Sequence, residues 1–258
     1  MLRFRSLGSG STGNATLVEA SSGGRTTRLM VDCGFGIRQL EARLANAGLQ
    51  ISDLNAIFIT HEHGDHIGCA HTVSVRHRIP IWMSEGTWLA TGGRDYAGQL
   101  QFARDGVAID LGGLNVEPFT VPHDAREPLQ LTCSDGARRL GILTDLGHAT
   151  PHVLNHLVRL DALLLESNHD NELLANSAYP AFLKHRVGGQ YGHLSNAAAA
   201  EIARAAHHAG LRHVVAAHLS EENNRPELVR QSLAAALGCA AADVMTADAA
   251  NGFPWLDL

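Results

Sequence analysis

Apolar and polar residues along the chain form two kinds of pattern, which predict strands and helices. Leu2 to Leu7 alternates apolar and polar residues, as a half-buried strand does, whereas Ala56 to Thr60 is a β-branched run typical of a buried strand. Helical spacing appears from Ile37 to Ala47, where Gly48 would end the helix, and an Ala-rich helix is predicted from Ala197 to Ala209. Alternating strands and helices are typical of an α/β domain.

Further runs have the composition of short strands, and several end in a residue that can carry chemistry. The predicted strands are Ala15 to Glu19, Arg28 to Val31, Ile79 to Met83, Val116 to Val121, Arg139 to Thr144, Asp161 to Leu165 and His213 to Ala217. Ser84 has N-cap chemistry for a helix that runs to about Ala97. The stretch from Gly92 to Gly113 is compatible with either a cap over a site or an interface.

The composition fits a single domain spanning residues 1–258. The chain is 45% apolar and has a formal net charge of −6, so it can bury a substantial core and has no general basic field. Lys184 is its only lysine, so any nucleic-acid contact must use a local patch. The four cysteines form no CxxC pair, which argues against a zinc ribbon or a disulfide framework. No signal peptide or long apolar segment is apparent, and a soluble cytoplasmic protein is expected.

The strongest chemical signal is the tract from His61 to His66, HEHGDH, which follows the run ending at Thr60. His61 and His63 lie two apart, so they leave an extended segment on the same face. Gly64, free to adopt positive φ, would turn the chain and aim Asp65 and His66 beside them. These four ligands exceed what one four-coordinate ion takes from so short a loop, whereas two ions could share them with later residues. A His-rich surface tract is the alternative in a chain with 16 histidines.

Three later strand ends supply the remaining ligand candidates. His123 follows the strand ending at Val121, Asp145 follows the strand ending at Thr144, and His218 follows the strand ending at Ala217. The carboxylate of Asp145 can bridge two cations with its two oxygens, which an imidazole cannot do. The spare histidines His71 and His77 are interpreted as surface or supporting residues.

The HxHxDH tract and the strand-end ligands resemble the signature of the metallo-β-lactamase superfamily. The resemblance implies an αββα sandwich, in which two mixed β-sheets pack face to face with helices on both outer faces. It also implies two divalent ions, one held by His61, His63 and His123, the other by Asp65, His66 and His218, with Asp145 shared. The ligands are all N or O donors, so zinc and manganese both stay possible. The pKa of a water molecule between the ions would be lowered toward neutrality, and this water would serve as the nucleophile.

Two features upstream of the tract are expected to support it. The stretch from Gly8 to Asn14 is rich in Gly and small polar residues and predicts a loop. It could be a plain hairpin turn, or its amides could cradle a phosphate, although the ending of a P-loop is absent. Asp32 follows the strand ending at Val31, where it could be a ligand. We favour a role in bracing the histidine loop by hydrogen bonds.

Glu166 at a strand end and His193 before a helix have the character of a carboxylate–imidazole dyad. The Glu would orient the imidazole and hold it protonated, as an acid for a leaving oxygen or a cation for a phosphoryl group. The alternative is that Glu166 is a partly exposed strand terminus and His193 an ordinary residue at a helix start. The arrangement is similar to that of ribonuclease Z, and together with Asp65 these two residues are the expected catalytic groups.

The whole set of motifs resembles the YycJ family, also called WalJ. The matching segments are SGSTGN from Ser9, the histidine tract, HDA from His123, ESNHD from Glu166, GHLSN from Gly192 and HLSEENN from His218. The resemblance implies a metal-dependent 5′-to-3′ exonuclease acting on DNA, with a part in DNA repair. Gly64 stands where relatives more often have Ser, and the acidic net charge does not favour long DNA.

Substrate contacts and rival activities complete the expectations. Candidates for hydrogen bonds to phosphates are Asn14, Ser195, Asn196, Asn223 and Asn224, with Lys184, Arg186 and Arg225 for charge contacts. A small-substrate hydrolase of the same fold, such as a lactonase, thioesterase or weak β-lactamase, would use the same metals without needing His193. A non-catalytic metal-stabilised module is the alternative from another class. The metal, the strandedness of the nucleic acid and the oligomeric state stay open.

Overall fold

The fold is seen in a computed structural model that describes residues 1–258. Its strands are β1 (Leu2–Gly8), β2 (Ala15–Ser22), β3 (Arg25–Val31), β4 (Ala56–Phe58), β5 (Ile81–Met83), β6 (Leu100–Phe102), β7 (Ile109–Asp110), β8 (Asn115–Thr120), β9 (Leu129–Ser134), β10 (Arg139–Leu143), β11 (Ala162–Glu166), β12 (His213–Ala217), β13 (Met245–Thr246) and β14 (Phe253–Asp257). They form two seven-stranded sheets, ordered β14-β1-β2-β3-β4-β5-β6 and β13-β12-β11-β10-β9-β8-β7.

Nine α-helices connect the strands, with short 3₁₀ turns at Ile51–Asp53 and Ala241–Asp243. The helices are α1 (Ile37–Asn46), α2 (Gly64–Ile67), α3 (Ala70–His77), α4 (Glu85–Ala90), α5 (Pro151–His156), α6 (Asn171–Asn176), α7 (Ala181–Val187), α8 (Asn196–Ala206) and α9 (Pro226–Leu237). None of them has the length and hydrophobicity that a membrane crossing requires.

Both sheets are mixed, with antiparallel and parallel halves. In the first sheet β1, β2 and β3 pair antiparallel, and β3 through β6 pair parallel. In the second sheet β8, β9 and β10 pair antiparallel, and β10 through β13 pair parallel. Parallel strands end at the same edge of a sheet, so residues that follow β3, β4, β10, β11 and β12 gather along one side of the molecule.

The core explains why the sheets stack. Alternate residues of one strand face opposite sides, so Val18 of β2 lies in the cluster between the sheets while Leu17 packs outward. Leu164 of β11 likewise faces the other sheet, and its neighbour Leu163 faces the helices. Helices α1 and α3 cover one outer face, whereas α5, α8 and α9 cover the other. The predicted αββα sandwich is confirmed.

The helix expected from Ser84 to Ala97 is shorter in the structure. Ser84 does cap it, since its Oγ accepts a hydrogen bond from Thr87 N, but α4 ends at Ala90. Gly92 and Gly93 adopt φ values of 84° and 63°, which a helix cannot continue. The prediction followed N-cap chemistry and missed this glycine pair as a helix terminator.

Candidate metal centre

The ligand candidates from both sheets converge on one cleft at the shared strand edge. After β4 the chain enters the short helix α2, which contains Asp65 and His66 and has His63 as its N-cap. Three of the tract's four candidate ligands are therefore positioned by this helix. Gly64 is the first residue of this one-turn helix, so the turn expected from a positive φ is made by helical geometry instead. A Cβ at Gly64 would meet no atom within 4 Å, so Ser is sterically acceptable there.

The candidate ligand atoms include both predicted groups, and these overlap with two further clusters, His61, His66 and Asp145, and Asp145, Glu166, His193 and His218. Nε2 of His61 and Nε2 of His123 lie 3.0 and 3.3 Å from Nδ1 of His63. In the second group, Asp65 Oδ2 is 3.5 Å from Nε2 of His66 and 3.5 Å from Nε2 of His218.

Asp145 lies between the two groups. One of its oxygens, Oδ2, is 3.0 Å from His66 Nε2, and the other, Oδ1, is 3.8 Å from His123 Nε2. The carboxylate therefore reaches toward both clusters.

Unsatisfied buried atoms indicate that these residues suit metal ions. Asp145 Oδ2 and His218 Nε2 are buried and make no hydrogen bond of acceptable geometry, although Asp145 Oδ2 lies 3.0 Å from His66 Nε2 and His218 Nε2 lies 3.5 Å from Asp65 Oδ2. A buried polar atom without a partner carries a substantial desolvation penalty, which a divalent cation would remove. Imidazole nitrogens and carboxylate oxygens are a donor set that zinc and manganese both accept.

Hydrogen bonds behind the ligands fix their orientation. Asp32, at the end of β3, adopts φ 62° and places Oδ2 at 2.7 Å from His66 Nδ1. Its Oδ1 accepts from Thr60 N and Thr60 Oγ1, both at 2.9 Å. On the other sheet, Nδ1 of His123 donates to Gly192 O at 3.0 Å. Each such bond leaves Nε2 of the imidazole directed at the cleft, as metal-binding histidines require.

Burial and neighbouring charges separate the pKa values of the ligands. Burial, reinforced by neighbouring imidazoles, lowers the pKa values of His61 and His123, which favours the neutral form that binds metal. For His66 and His218 burial acts in the same direction, but the charge of Asp145 and the hydrogen bonds to surrounding carboxylates together outweigh it and raise both pKa values well above the ordinary range. Protons on these two imidazoles therefore compete with a metal for the same nitrogens.

Glu166 and His193 lie together at the rim of the metal centre. Glu166 is fully buried, and its Oε1 is 2.7 Å from His193 Nδ1. Its Oε2 accepts from Leu146 N and Leu194 N at 3.0 and 3.2 Å. Burial lowers the pKa of His193, but the charge of Glu166 and the hydrogen bonds to Asp145 and Glu166 raise it to about 9.

Comparison with known proteins places this site in a family. The model of the β-lactamase superfamily domain matches residues 27–219. The chain belongs to the β-lactamase superfamily. Exodeoxyribonuclease YycJ of Bacillus anthracis is 34% identical over 239 residues, which cover 92% of this chain and 89% of that protein. Exodeoxyribonuclease WalJ of Streptococcus pneumoniae is 30% identical, over 90% of this chain and 86% of that protein. The resemblance to the YycJ and WalJ family is thereby confirmed.

Solved structures share the fold of this β-lactamase superfamily member at low identity. The metallo-β-lactamase fold protein YhfI from Bacillus subtilis superposes with a TM-score of 0.76 at 16% identity, over 100% of both chains. Human tRNase Z, short form, superposes with a TM-score of 0.65 at 17% identity, over 99% of this chain and 98% of that one. The named homologues and the His and Asp clusters identify the chain as a metal-dependent hydrolase.

The glycine-rich loop of this superfamily member connects the two ligand-bearing edges. Asn14 N donates to Asp65 O at 2.8 Å, and the Asn14 side chain accepts from Gly10 N at 2.9 Å. Ser9 Oγ accepts from His218 N at 2.9 Å. The loop thus supports the backbone of Asp65 and His218, whose positions set the second cluster.

The other candidate substrate contacts are built into loops. Ser195 caps α8 by accepting from Ala198 N, and its neighbour Asn196 exchanges two side-chain hydrogen bonds with Asn224 at 2.9 and 2.8 Å. Asn223 is buried, with Nδ2 bonded to Ser220 Oγ. These side chains hold the loops that carry the dyad and His218, and contact with phosphates stays a prediction for them and for Asn14.

The sequence named Arg186 as a candidate charge contact but gave no sign of the other residues in this part of the cleft wall. The cleft has a volume of about 400 Å³, and Tyr179, Leu183 and Arg186 line it together with the metal centre. Arg186 Nε donates to Asp124 Oδ2 at 2.6 Å, and Asp124 Oδ1 lies 3.4 Å from His123 Nε2. The acid directly after His123 was the available signal for the contact. The pattern of apolar and polar residues in α7 did not predict that this helix would border the cleft.

Proposed function

We propose that the protein is an exodeoxyribonuclease that removes nucleotides from the 5′ end of DNA at a centre of two divalent ions. The juxtaposition of Glu166 and His193 with the ligand clusters carries this proposal, because a small-substrate hydrolase has no need of the dyad. The relatives named exodeoxyribonucleases match about nine-tenths of the chain, and they supply the preference for DNA over RNA. Cytoplasmic DNA repair is the setting that we propose.

The ligand residues would divide two ions between them. His61, His63 and His123 would hold one ion, Asp65, His66 and His218 the other, and Asp145 would contact both. Zinc or manganese in these positions would supply Lewis acidity and a water molecule that ionises near neutral pH. Asp65, which lies at the mouth of the cleft, would accept a hydrogen bond from the attacking water and orient it toward phosphorus.

The dyad would act on the other side of the phosphodiester. Glu166 holds the ring of His193 through Nδ1, so Nε2 is the nitrogen available to the cleft. His193 would donate a proton from Nε2 to the oxygen that departs, or stabilise charge on a phosphoryl oxygen. Glu166 touches no reacting atom in this scheme and is a positioning residue.

Digestion of end-labelled DNA tests the proposal. With Mn²⁺ or Zn²⁺, we expect a 5′ label to be released as a mononucleotide at once, while a 3′ label passes through a ladder of shortening fragments. Asp145→Ala should abolish both, because the bridging carboxylate is lost. Intact DNA beside turnover of a β-lactam, lactone or thioester would overturn the proposal in favour of a small-substrate hydrolase.

A further inference from the structure

A second group of potential metal ligands lies where α5 covers the second sheet, and the candidate metal centre does not use it. It consists of Asp105, His152 and His156, whose ligand atoms all lie within 4.8 Å of one another. His152 Nε2 is 2.9 Å from Asp105 Oδ1. Two ligand atoms of one tetrahedral zinc ion lie about 3.4 Å apart, so small side-chain rotations would let these three groups share an ion.

Helix α5 presents its two histidines on one side. His152 and His156 are four residues apart in this helix, a spacing that puts both side chains on the same face. Their ring centroids are 4.9 Å apart. Histidines with the same spacing on a helix hold zinc in metalloproteases. The helix therefore places two nitrogen ligands next to the carboxylate of Asp105.

Neighbouring residues hold these side chains in position. Asp105 Oδ1 accepts a hydrogen bond from Thr120 N at 3.0 Å. The ring of His156 stacks on Phe119, with centroids 4.4 Å apart and 6° between the ring planes. Glu117 Oε1 lies 3.6 Å from His156 Nδ1 and adds a second carboxylate to the group. Contacts of this kind behind the ligands orient metal-binding side chains.

Ion pairs between protonated imidazoles and carboxylates are the other explanation for this group. Burial lowers the pKa of His156, which favours the neutral form that binds metal and forms no ion pair with Glu117. The side chains of His152 and Asp105 are 45% and 43% exposed, so an ion pair between them contributes little in water. Ion pairing therefore gives no reason for both histidines to meet the same carboxylate, whereas a shared cation does.

The group is open to solvent and borders a segment that leads to the candidate metal centre. A cavity of about 430 Å³ is lined by Asp105, His152 and the residues from Thr120 to Pro122, which directly precede His123. The cavity has room for the water molecules that would complete the coordination of an ion. An ion at this position would tie α5 to the end of β8.

We propose that Asp105, His152 and His156 bind one divalent transition-metal ion in addition to any ion held by the candidate metal centre. Two imidazoles and a carboxylate favour zinc and also accept cobalt, nickel or copper, whereas magnesium and calcium prefer oxygen ligands alone. The site is independent of the reaction proposed above, because it uses none of the residues assigned to that reaction.

Zinc titration by isothermal calorimetry, with free zinc buffered in the micromolar range, tests the site. Wild-type protein should bind one more zinc ion per chain than the double variant His152→Gln/His156→Gln, and magnesium should not fill this position. Loss of even a residue that orients a ligand weakens metal binding by about 10- to 100-fold, so Asp105→Asn should weaken the additional ion by at least about that factor. His77→Gln, which removes an exposed histidine from α3, should bind as many zinc ions as wild type.

Each result bears on the site. Equal numbers of zinc ions in wild type and the double variant would overturn the proposal and leave the nuclease proposal standing. An additional ion that binds only at millimolar zinc would also overturn it, because that is adventitious binding to exposed histidines. Thermal melting in EDTA verifies that the variants are folded. If the double variant is not, Asp105→Asn, a nearly isosteric change at an exposed position, decides the same question.

Discussion

His193 has two carboxylates on one side of its ring and the cleft on the other. Nδ1 is 2.7 Å from Glu166 Oε1 and 3.2 Å from Asp145 Oδ1. The ring is therefore bound to the metal centre through Asp145 without belonging to either ligand group. Its loss should affect the chemical step more than the holding of the ions.

Replacing His193 with Gln tests this assignment. We expect kcat on DNA to fall by about 10²- to 10⁴-fold, the usual contribution of a general acid. KM and the number of ions bound per chain should change little, because the amide retains a donor for Glu166 and all ligands remain. Steady-state kinetics and metal analysis provide the two readouts.

His77→Ala is the matched control, since His77 is an exposed histidine at the end of α3. Unchanged kcat on DNA in His193→Gln would contradict the assignment. Loss of turnover of DNA with full turnover of a small ester would show that the dyad serves phosphodiesters only.

At the scale of single residues, the sequence predicted the polar residues that directly follow strands. The clustering of the candidate ligands was foreseeable because their segments each follow an apolar run, and Asp32 lies behind His66 as expected of a brace. The exposure of the Phe182 and Tyr191 side chains was not foreseeable. Nothing in the spacing of α7 distinguishes exposed rings from buried ones, and the direction of that helix depends on how Gly192 and Gly147 pack against neighbouring backbone.

At the scale of elements, α2 is the part of the centre most tightly enclosed by backbone. Cys33 N donates to His66 O at 2.7 Å, and a Cβ added at Gly34 would lie 1.7 Å from Asp65 O. The close approach requires glycine for lack of space, and no positive φ is involved. The loop after β3 and α2 are therefore held in direct backbone contact.

Gly34→Ala should displace α2 and weaken the second cluster. Because the contact is with backbone, we expect a loss of about 2 kcal/mol in the free energy of unfolding, and fewer ions retained per chain after gel filtration. Gly64→Ala is the control, since its Cβ would meet no atom within 4 Å. Equal metal content and equal melting temperatures in the two variants would contradict the argument.

The same scale shows why element ends were predicted less well than elements. Helix α4 was expected to reach Ala97, and the buried strand after Asn55 was expected to continue to Thr60, whereas β4 ends at Phe58. Beyond Phe58 the chain leaves regular pairing, although Ile59 N still donates to Trp82 O. Thr60 instead donates a hydrogen bond to Asp32. This contact at the candidate metal centre replaces the strand pairing that the local sequence favours.

At the scale of the whole molecule, the centre joins the two sheets. The histidine tract comes from the first sheet, and His123, Asp145 and His218 come from the second. Ions held across this junction would bind the native state and not the unfolded chain. They should therefore stabilise the entire sandwich.

Removing the ions should lower the melting temperature. A ligand at about a thousand times its Kd contributes about 4 kcal/mol, and about 1 kcal/mol shifts the melting temperature of a domain of this size by roughly 2–4 °C. Chelation should thus lower it by about 10 °C, measured by calorimetry with and without EDTA. Asp145→Ala should lose most of this sensitivity. A wild-type melting temperature indifferent to EDTA would show that the ions do not hold the sheets together.

The distribution of ligands along the chain has a consequence for biosynthesis. The ribosome synthesises the first group of candidate ligands, completed by His123, well before His218, which follows β12. A nascent or prematurely terminated polypeptide would carry the three-histidine group without the full second one. Cutting ability would then arise only after His218 has been synthesised, so the order of the ligands along the chain would delay activity during translation.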